Sequence, residues 1–162
     1  MTKLTLLGTG LMGGPMARNL LAQKHDLKVW NRSADKAAPL AGLGATVAET
    51  PEDAVAGAGI VISMLSDGPA SDAVQQAVWD SFAIGTIWVE MASIRPEEAR
   101  AHAARFAGIG MGYIDAPVSG GTKGAQGATL AIMAGGDADT FAKIQPVLSA
   151  MGRPVHVGPV GA

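Results

Sequence analysis

Gly8-Thr9-Gly10-Leu11-Met12-Gly13 is the stretch on which the reading of this chain turns. Glycines at the spacing G-x-G-x-x-G mean little in a chain holding 22 of them, so the flanks decide. Upstream, Leu4 to Leu7 is a short apolar run of the kind that forms a buried strand. Downstream, Met12, Met16, Leu20 and Leu21 recur at helical spacing between Met12 and Gln23. A glycine triplet between strand and helix predicts a βα turn with a ligand role. Gly8 makes the tight turn, Gly10 leaves room for a pyrophosphate, and Gly13 lets helix and strand pack closely. Leu11 and Met12 belong to the same cradle, and the helix start offers free N–H groups and a favourable dipole to an anion. A plain glycine-rich βα turn is the alternative.

The next strand, Leu27-Lys28-Val29-Trp30, ends at Asn31-Arg32-Ser33, about 20 residues beyond the glycines. An NAD site would place Asp or Glu there for the ribose hydroxyls, and no carboxylate is present. Arg32 can pair with a 2′-phosphate or lie over an adenine, and Asn31 and Ser33 add neutral donors. NADP(H) is therefore favoured over NAD(H). A solvated arginine after a strand is the plainer reading of the same residue.

Farther out, strand and helix signals alternate. A helix is expected from Ser33 to Gly42 or Gly44. Thr50-Pro51-Glu52-Asp53 is a helix start, with a capping hydroxyl, a proline at the first position and two carboxylates at the positive end. Strands are expected at Ile60 to Leu65, Thr86 to Glu90 and Pro154 to Val157. Helices are expected at Ala70 to Trp79, Pro96 to Gly108 and Asp137 to Met151. Gly112 to Asp115 and Thr129 to Met133 read as strands around a glycine-rich loop. The pattern predicts one α/β domain over residues 1–162, a doubly wound, Rossmann-type, mainly parallel sheet with helices on both faces.

The 162 residues suffice for one ordinary core. With no cysteine, zinc fingers, iron–sulfur clusters, thiol nucleophiles and disulfide scaffolds are excluded, and no metal site is expected. A net charge of −2 without a basic block argues against nucleic acid and membrane surfaces as partners. The longest nearly apolar run, Ala54 to Leu65, is too short to span a bilayer. The apolar start is interrupted by Gly8 and Gly10, unlike a signal peptide, so a cytoplasmic protein is expected.

A second dense cluster runs from Asp115 to Gly127, Asp-Ala-Pro-Val-Ser-Gly-Gly-Thr-Lys-Gly-Ala-Gln-Gly. Successive glycine N–H groups beside a serine hydroxyl can form a concave nest for a carboxylate, although a long hairpin connection fits equally. Taken in order, Gly8 to Leu20, Asn31 to Ser33 and Asp115 to Leu130 resemble the cofactor domain of the β-hydroxyacid dehydrogenases. That family includes 3-hydroxyisobutyrate dehydrogenase and the small semialdehyde reductases, with 6-phosphogluconate dehydrogenase and the imine reductases as distant relatives. The resemblance implies an oxidoreductase that moves hydride between NADP(H) and a small β-hydroxyacid or semialdehyde carboxylate.

It further implies that Ser119, Gly120 and Gly121 hold the substrate carboxylate and that Met64 and Leu65 line the cofactor groove. Glu90 to Pro96 resembles the family's Asp-x-Ser-Thr-x-x-Pro stretch, in which Ser93 takes the place of the threonine near the nicotinamide ribose. Ala92 stands for a commoner serine and Glu90 for a commoner aspartate. The family's proton donor is a lysine in a Gly-x-x-x-Lys-x-x-Asn helix, expected beyond Ala162, so no catalytic residue is assigned within this chain. Lys123, His102 and His156 are weak substitutes. The chain thus reads as a cofactor domain of a longer homo-oligomeric enzyme, inactive alone and lacking the all-helical second domain. An apolar patch that such a domain would cover is expected to be exposed. The alternative is a stand-alone dinucleotide-binding or interaction module without catalysis.

Overall fold

A computed structural model describes residues 2–162. Its elements are β1 (Lys3–Leu7), α1 (Gly13–Ala22), β2 (Asp26–Trp30), α2 (Ala34–Ala37), β3 (Thr46–Val47), α3 (Pro51–Val55), β4 (Ile60–Ser63), α4 (Gly68–Val78), β5 (Ile87–Glu90), α5 (Pro96–Gly108), β6 (Gly112–Asp115), β7 (Val118–Ser119), α6 (Gly121–Gly127), β8 (Leu130–Gly135), α7 (Ala138–Leu148) and β9 (Gly152–Gly158). The strands form one nine-stranded sheet in the order β3-β2-β1-β4-β5-β6-β8-β7, with β9 on β8. From β3 to β6 every pairing is parallel, whereas β8 runs antiparallel to β6 and β7. β9 returns parallel to β8. This is the doubly wound Rossmann arrangement, and the chain reverses its direction of travel across the sheet between β1 and β4. Connections leaving those two strands diverge, which opens a crevice at their carboxyl ends.

Alternation along the strands builds two cores. Leu4, Leu6, Val29, Ile62 and Val89 pack with Met16 and Leu20 of α1. Leu7, Val61, Trp88 and Tyr113 pack with Ala99 and Phe106 of α5. Every residue of β4 and β5 is buried, as expected for strands covered on both faces. Each such Leu or Val is worth about 1.5–3 kcal/mol in apolar burial. Phe106 stacks on both Trp88 and Tyr113, with ring centroids 5.5 and 5.6 Å apart.

Several local expectations need correction. The helix expected from Ser33 is only α2, continued as a tighter 3₁₀ segment over Ala38–Leu43 that ends at Gly44 in a left-handed conformation. Ser33 precedes α2 but its hydroxyl makes no capping bond, whereas Thr50 caps α3 by accepting the Asp53 N–H at 3.1 Å. Strand β3 was not anticipated, because two residues leave no periodic signal. The glycine-rich stretch after Asp115 is not an irregular loop but the short strand β7 followed by helix α6. On β8 and β9, Met133, Val155 and Val157 are exposed apolar side chains.

Candidate functional site

The crevice between β1 and β4 holds a groove of about 700 Å³. Its floor is the β1–α1 turn. Gly8 has φ +97°, and its N–H donates to Trp30 O at 2.8 Å. A Cβ there would lie 2.4 Å from Met64 O, so Gly8 is held by close approach to the β4 end as well as by its turn. A Cβ on Gly13 would lie 1.8 Å from Gly8 O, the tightest contact any glycine in the chain would make. Gly10 differs. Beyond its own chain neighbours, no protein atom lies within 4 Å of where its Cβ would stand, and the residue lines the groove. Its lack of a side chain leaves space in the groove rather than relieving contact within the fold.

Asn31 braces this turn. Its Oδ1 accepts the Thr9 N–H at 2.8 Å, and its Nδ2 donates to Ser33 O at 3.0 Å. The amide read from the sequence as a ligand donor is thus largely engaged within the protein. Thr9 Oγ1, beside it, is buried with no hydrogen-bond partner. At the β2 end of the groove stand Arg32, Ser33 and Lys36, all exposed. Lys36 was not anticipated. The clue was available, since one turn of helix carries Lys36 back beside Ser33.

Met64, Leu65 and Ser66 follow β4, and Ala70, Ala73 and Val74 of α4 continue that wall. The start of α4 is fixed by Asp67, whose Oδ1 accepts the Ala70 N–H at 2.9 Å. Ala92 and Ser93 follow β5. The groove therefore brings together Gly8, Gly10, Leu11, Met12, Gly13, Asn31, Arg32, Ser33, Met64, Leu65 and Ser93 from four separate turns.

Ser119, Gly120 and Gly121 do not line it. They sit exposed where β7 passes into α6, with φ +133° at Gly120 and +60° at Gly121. Helix α6 lies against α1, where the Asn19 amide donates to Ala125 O at 2.6 Å. Lys123, His102 and His156 lie outside the groove as well. His156 is stacked on Phe141 and has Nε2 at 2.7 Å from Gly136 O. His102 is buried, with Nδ1 at 3.2 Å from Gln75 Nε2, and burial followed by the Arg105 charge lowers its pKa below the usual histidine range. Among the described residues no group of three or more acidic or histidine side chains could hold a metal ion, and no helix is long and apolar enough to cross a membrane.

Residues 3–159 match the profile of the NAD binding domain of 6-phosphogluconate dehydrogenase. The chain is 41% identical to the NAD-dependent L-serine dehydrogenase of Pseudomonas aeruginosa, over 100% of its own length and 56% of that protein's. The solved structure of Mycobacterium tuberculosis 3-hydroxyisobutyrate dehydrogenase with L-serine superposes with a TM-score of 0.97 at 37% identity, covering 100% of this chain and 56% of that one. The imine reductase of Myxococcus stipitatus in complex with NADP+ superposes at 0.90 with 30% identity, covering 98% and 56%. The chain thus spans about half the length of the relatives it matches.

Proposed function

Because this chain belongs to the β-hydroxyacid dehydrogenase family and corresponds to its NAD-binding domain, we propose that the groove between β1 and β4 binds NADP(H) in preference to NAD(H). In this reading the longer protein oxidises a small β-hydroxyacid or reduces the matching semialdehyde. The family is one of dehydrogenases and reductases acting through a pyridine nucleotide.

The observation that carries the reading is the composition of the groove from end to end. Gly10 leaves open space at the start of α1, where unpaired N–H groups and the helix dipole favour a pyrophosphate. Arg32 and Lys36 put two cations, with the Ser33 hydroxyl, at the end where the adenosine ribose would lie. Such a set suits a 2′-phosphate and gives the two hydroxyls of NAD no carboxylate to donate to. Met64, Leu65 and Ser93 would border the nicotinamide half. Bound there, the nucleotide supplies the hydride donor or acceptor for interconverting a hydroxyl and a carbonyl group. The residues of this chain bind and orient it. Ser119, Gly120 and Gly121 are proposed to hold the substrate carboxylate, for which the left-handed glycines in succession beside a hydroxyl are the support. None of Lys123, His102 and His156 is assigned as proton donor.

Calorimetric titration of the 162-residue chain with NADPH and NADH tests this. NADPH is expected to bind about tenfold tighter or more, equivalent to one well-placed charge-assisted contact. Equal affinities would remove the phosphate assignment, and no binding of either nucleotide would remove the groove itself.

A further inference from the structure

Glu90, the last residue of β5, is completely buried, and among the described residues no cation pairs with it. Its Oε1 accepts a short hydrogen bond from the Ser71 hydroxyl of α4 and a longer one from Trp88 Nε1 at 3.4 Å, while Oε2 has no partner. Burial pushes its carboxyl up to about 7, against the opposing pull of Ser71, Ser63, Trp88 and the Ala92 N–H. Ser71 is itself anchored. Its Oγ lies 3.5 Å from Ser63 Oγ and accepts from Gln75 Nε2 at 3.2 Å, and Gln75 Oε1 accepts from Arg105 of α5 at 3.1 Å.

These contacts join two walls of the groove. Ser71 is flanked on α4 by Ala70, Ala73 and Val74, and Glu90 is followed by Ala92 and Ser93. We propose that Glu90 is a positioning residue of the nucleotide groove: its carboxyl clamps α4 to the end of β5 through Ser71, and its ionisation, which strengthens that bond but leaves a buried anionic Oε2 without a donor, shifts α4 and the 90–93 segment out of the neutral arrangement. The inference rests on the nucleotide reading above.

The physical reason is the orphaned Oε2. With Oε1 accepting both bonds, the acid proton lies on Oε2, and a hydroxyl left unpaired there costs less than an anionic oxygen, which must draw in water or pull the Ala92 N–H closer. Either response moves α4 or the 90–93 segment. The other ionisable groups around the site are Asp72 on α4, Glu98, His102 and Arg105 on α5, and Tyr113 and Asp115 on β6. Asp115 is the register neighbour of Glu90, and burial raises its pKa too, although the Gly161 N–H opposes this. The Tyr113 hydroxyl is buried without a partner, and burial, followed by the carboxyl of Glu90, keeps it protonated.

The test follows the 162-residue chain, Glu90→Gln and Ser71→Ala from about pH 5.5 to about pH 8.5. It reads the Trp88 indole N–H resonance without nucleotide, then the affinities for NADPH and for NADH. NADH is included because the 2′-phosphate itself titrates near pH 6. In the unsubstituted chain the indole resonance is expected to shift with a midpoint of about 7, and in Glu90→Gln it stays flat. Across the same range the unsubstituted chain is expected to lose about fivefold more affinity for both nucleotides than Glu90→Gln does. Ser71→Ala, which breaks the clamp without a charge, is expected to bind more weakly at every pH. Identical pH profiles for the chain and Glu90→Gln, or full affinity in Ser71→Ala, overturn the proposal while leaving the nucleotide reading standing. Failure of the unsubstituted chain to bind either nucleotide at any pH overturns both.

Discussion

Gly10→Ala and Gly13→Ala are the same chemical change three residues apart, and the structure assigns them opposite consequences. At Gly13 the added Cβ would stand 1.8 Å from Gly8 O, a backbone atom that cannot rotate away. Reaching an ordinary contact requires α1 to retreat from the end of β1 by more than about 1 Å, and overpacking of that kind costs about 1–3 kcal/mol or more. At about 2–4 °C per kcal/mol for a domain of this size, the melting temperature is expected to fall by about 2–12 °C. At Gly10 the Cβ meets nothing, and φ lies outside the left-handed region. The fold is expected to melt unchanged or up to about 1 kcal/mol more stable, because alanine restricts the unfolded chain. The methyl group would nevertheless occupy space in the groove, so NADPH affinity is expected to drop at least about tenfold. Thermal melts and calorimetric titrations of the two variants, run side by side, read both quantities. The reasoning fails if Gly10→Ala binds NADPH as tightly as the parent chain. It fails equally if Gly13→Ala melts within about 1 °C of it.

Other substitutions probe other parts. Arg32→Asp is expected to reverse the nucleotide preference, weakening NADPH by repulsion and supplying NADH with a hydroxyl acceptor; undiminished NADPH affinity in a titration would remove Arg32 from the site. Lys36→Ala is expected to weaken NADPH about fivefold and leave NADH unchanged, in the same assay. Asp67→Ala removes the cap of α4 and is expected to cost about 1 kcal/mol in urea denaturation. For Glu90, the folded carboxyl near 7 lies above its ordinary value of 4.5. Between those values the folded state keeps a proton that the unfolded chain has lost, so stability declines as pH rises through the window and levels off above it. The loss is about 3 kcal/mol by linkage and is expected to be absent in Glu90→Gln, measured by urea denaturation at about pH 5 and about pH 8.

Much of the groove was legible because its determinants are local. The hydrophobic spacing of Leu4 to Leu7 and of Met12 to Leu21 is enough to place Gly8, Gly10 and Gly13 between a strand and a helix. Arg32 follows β2 in the chain, so its place at the carboxyl edge came with the strand. The stretch after Asp115 was not legible in this way. Gly121-Thr122-Lys123-Gly124-Ala125-Gln126-Gly127 has little intrinsic helix preference, and it is helical because α1 and Leu130 hold it. Gly124 is close-packed there, its Cβ position lying 3.1 Å from the Leu130 side chain.

The sequence by itself determined the alternation of strands and helices apart from β3, β7 and α6, the location of the nucleotide turn and the residues at the end of β2, because periodicity and turn chemistry act over a few neighbours. Only the tertiary structure decided what confines each glycine, since the confining atoms are brought there by folding: Met64 O against the Cβ position of Gly8, and Gly8 O against that of Gly13. The same holds for the carboxyl of Glu90. Its burial and its bond to Ser71 join residues from two elements of the chain, and no local pattern records a contact made by packing a helix on a sheet.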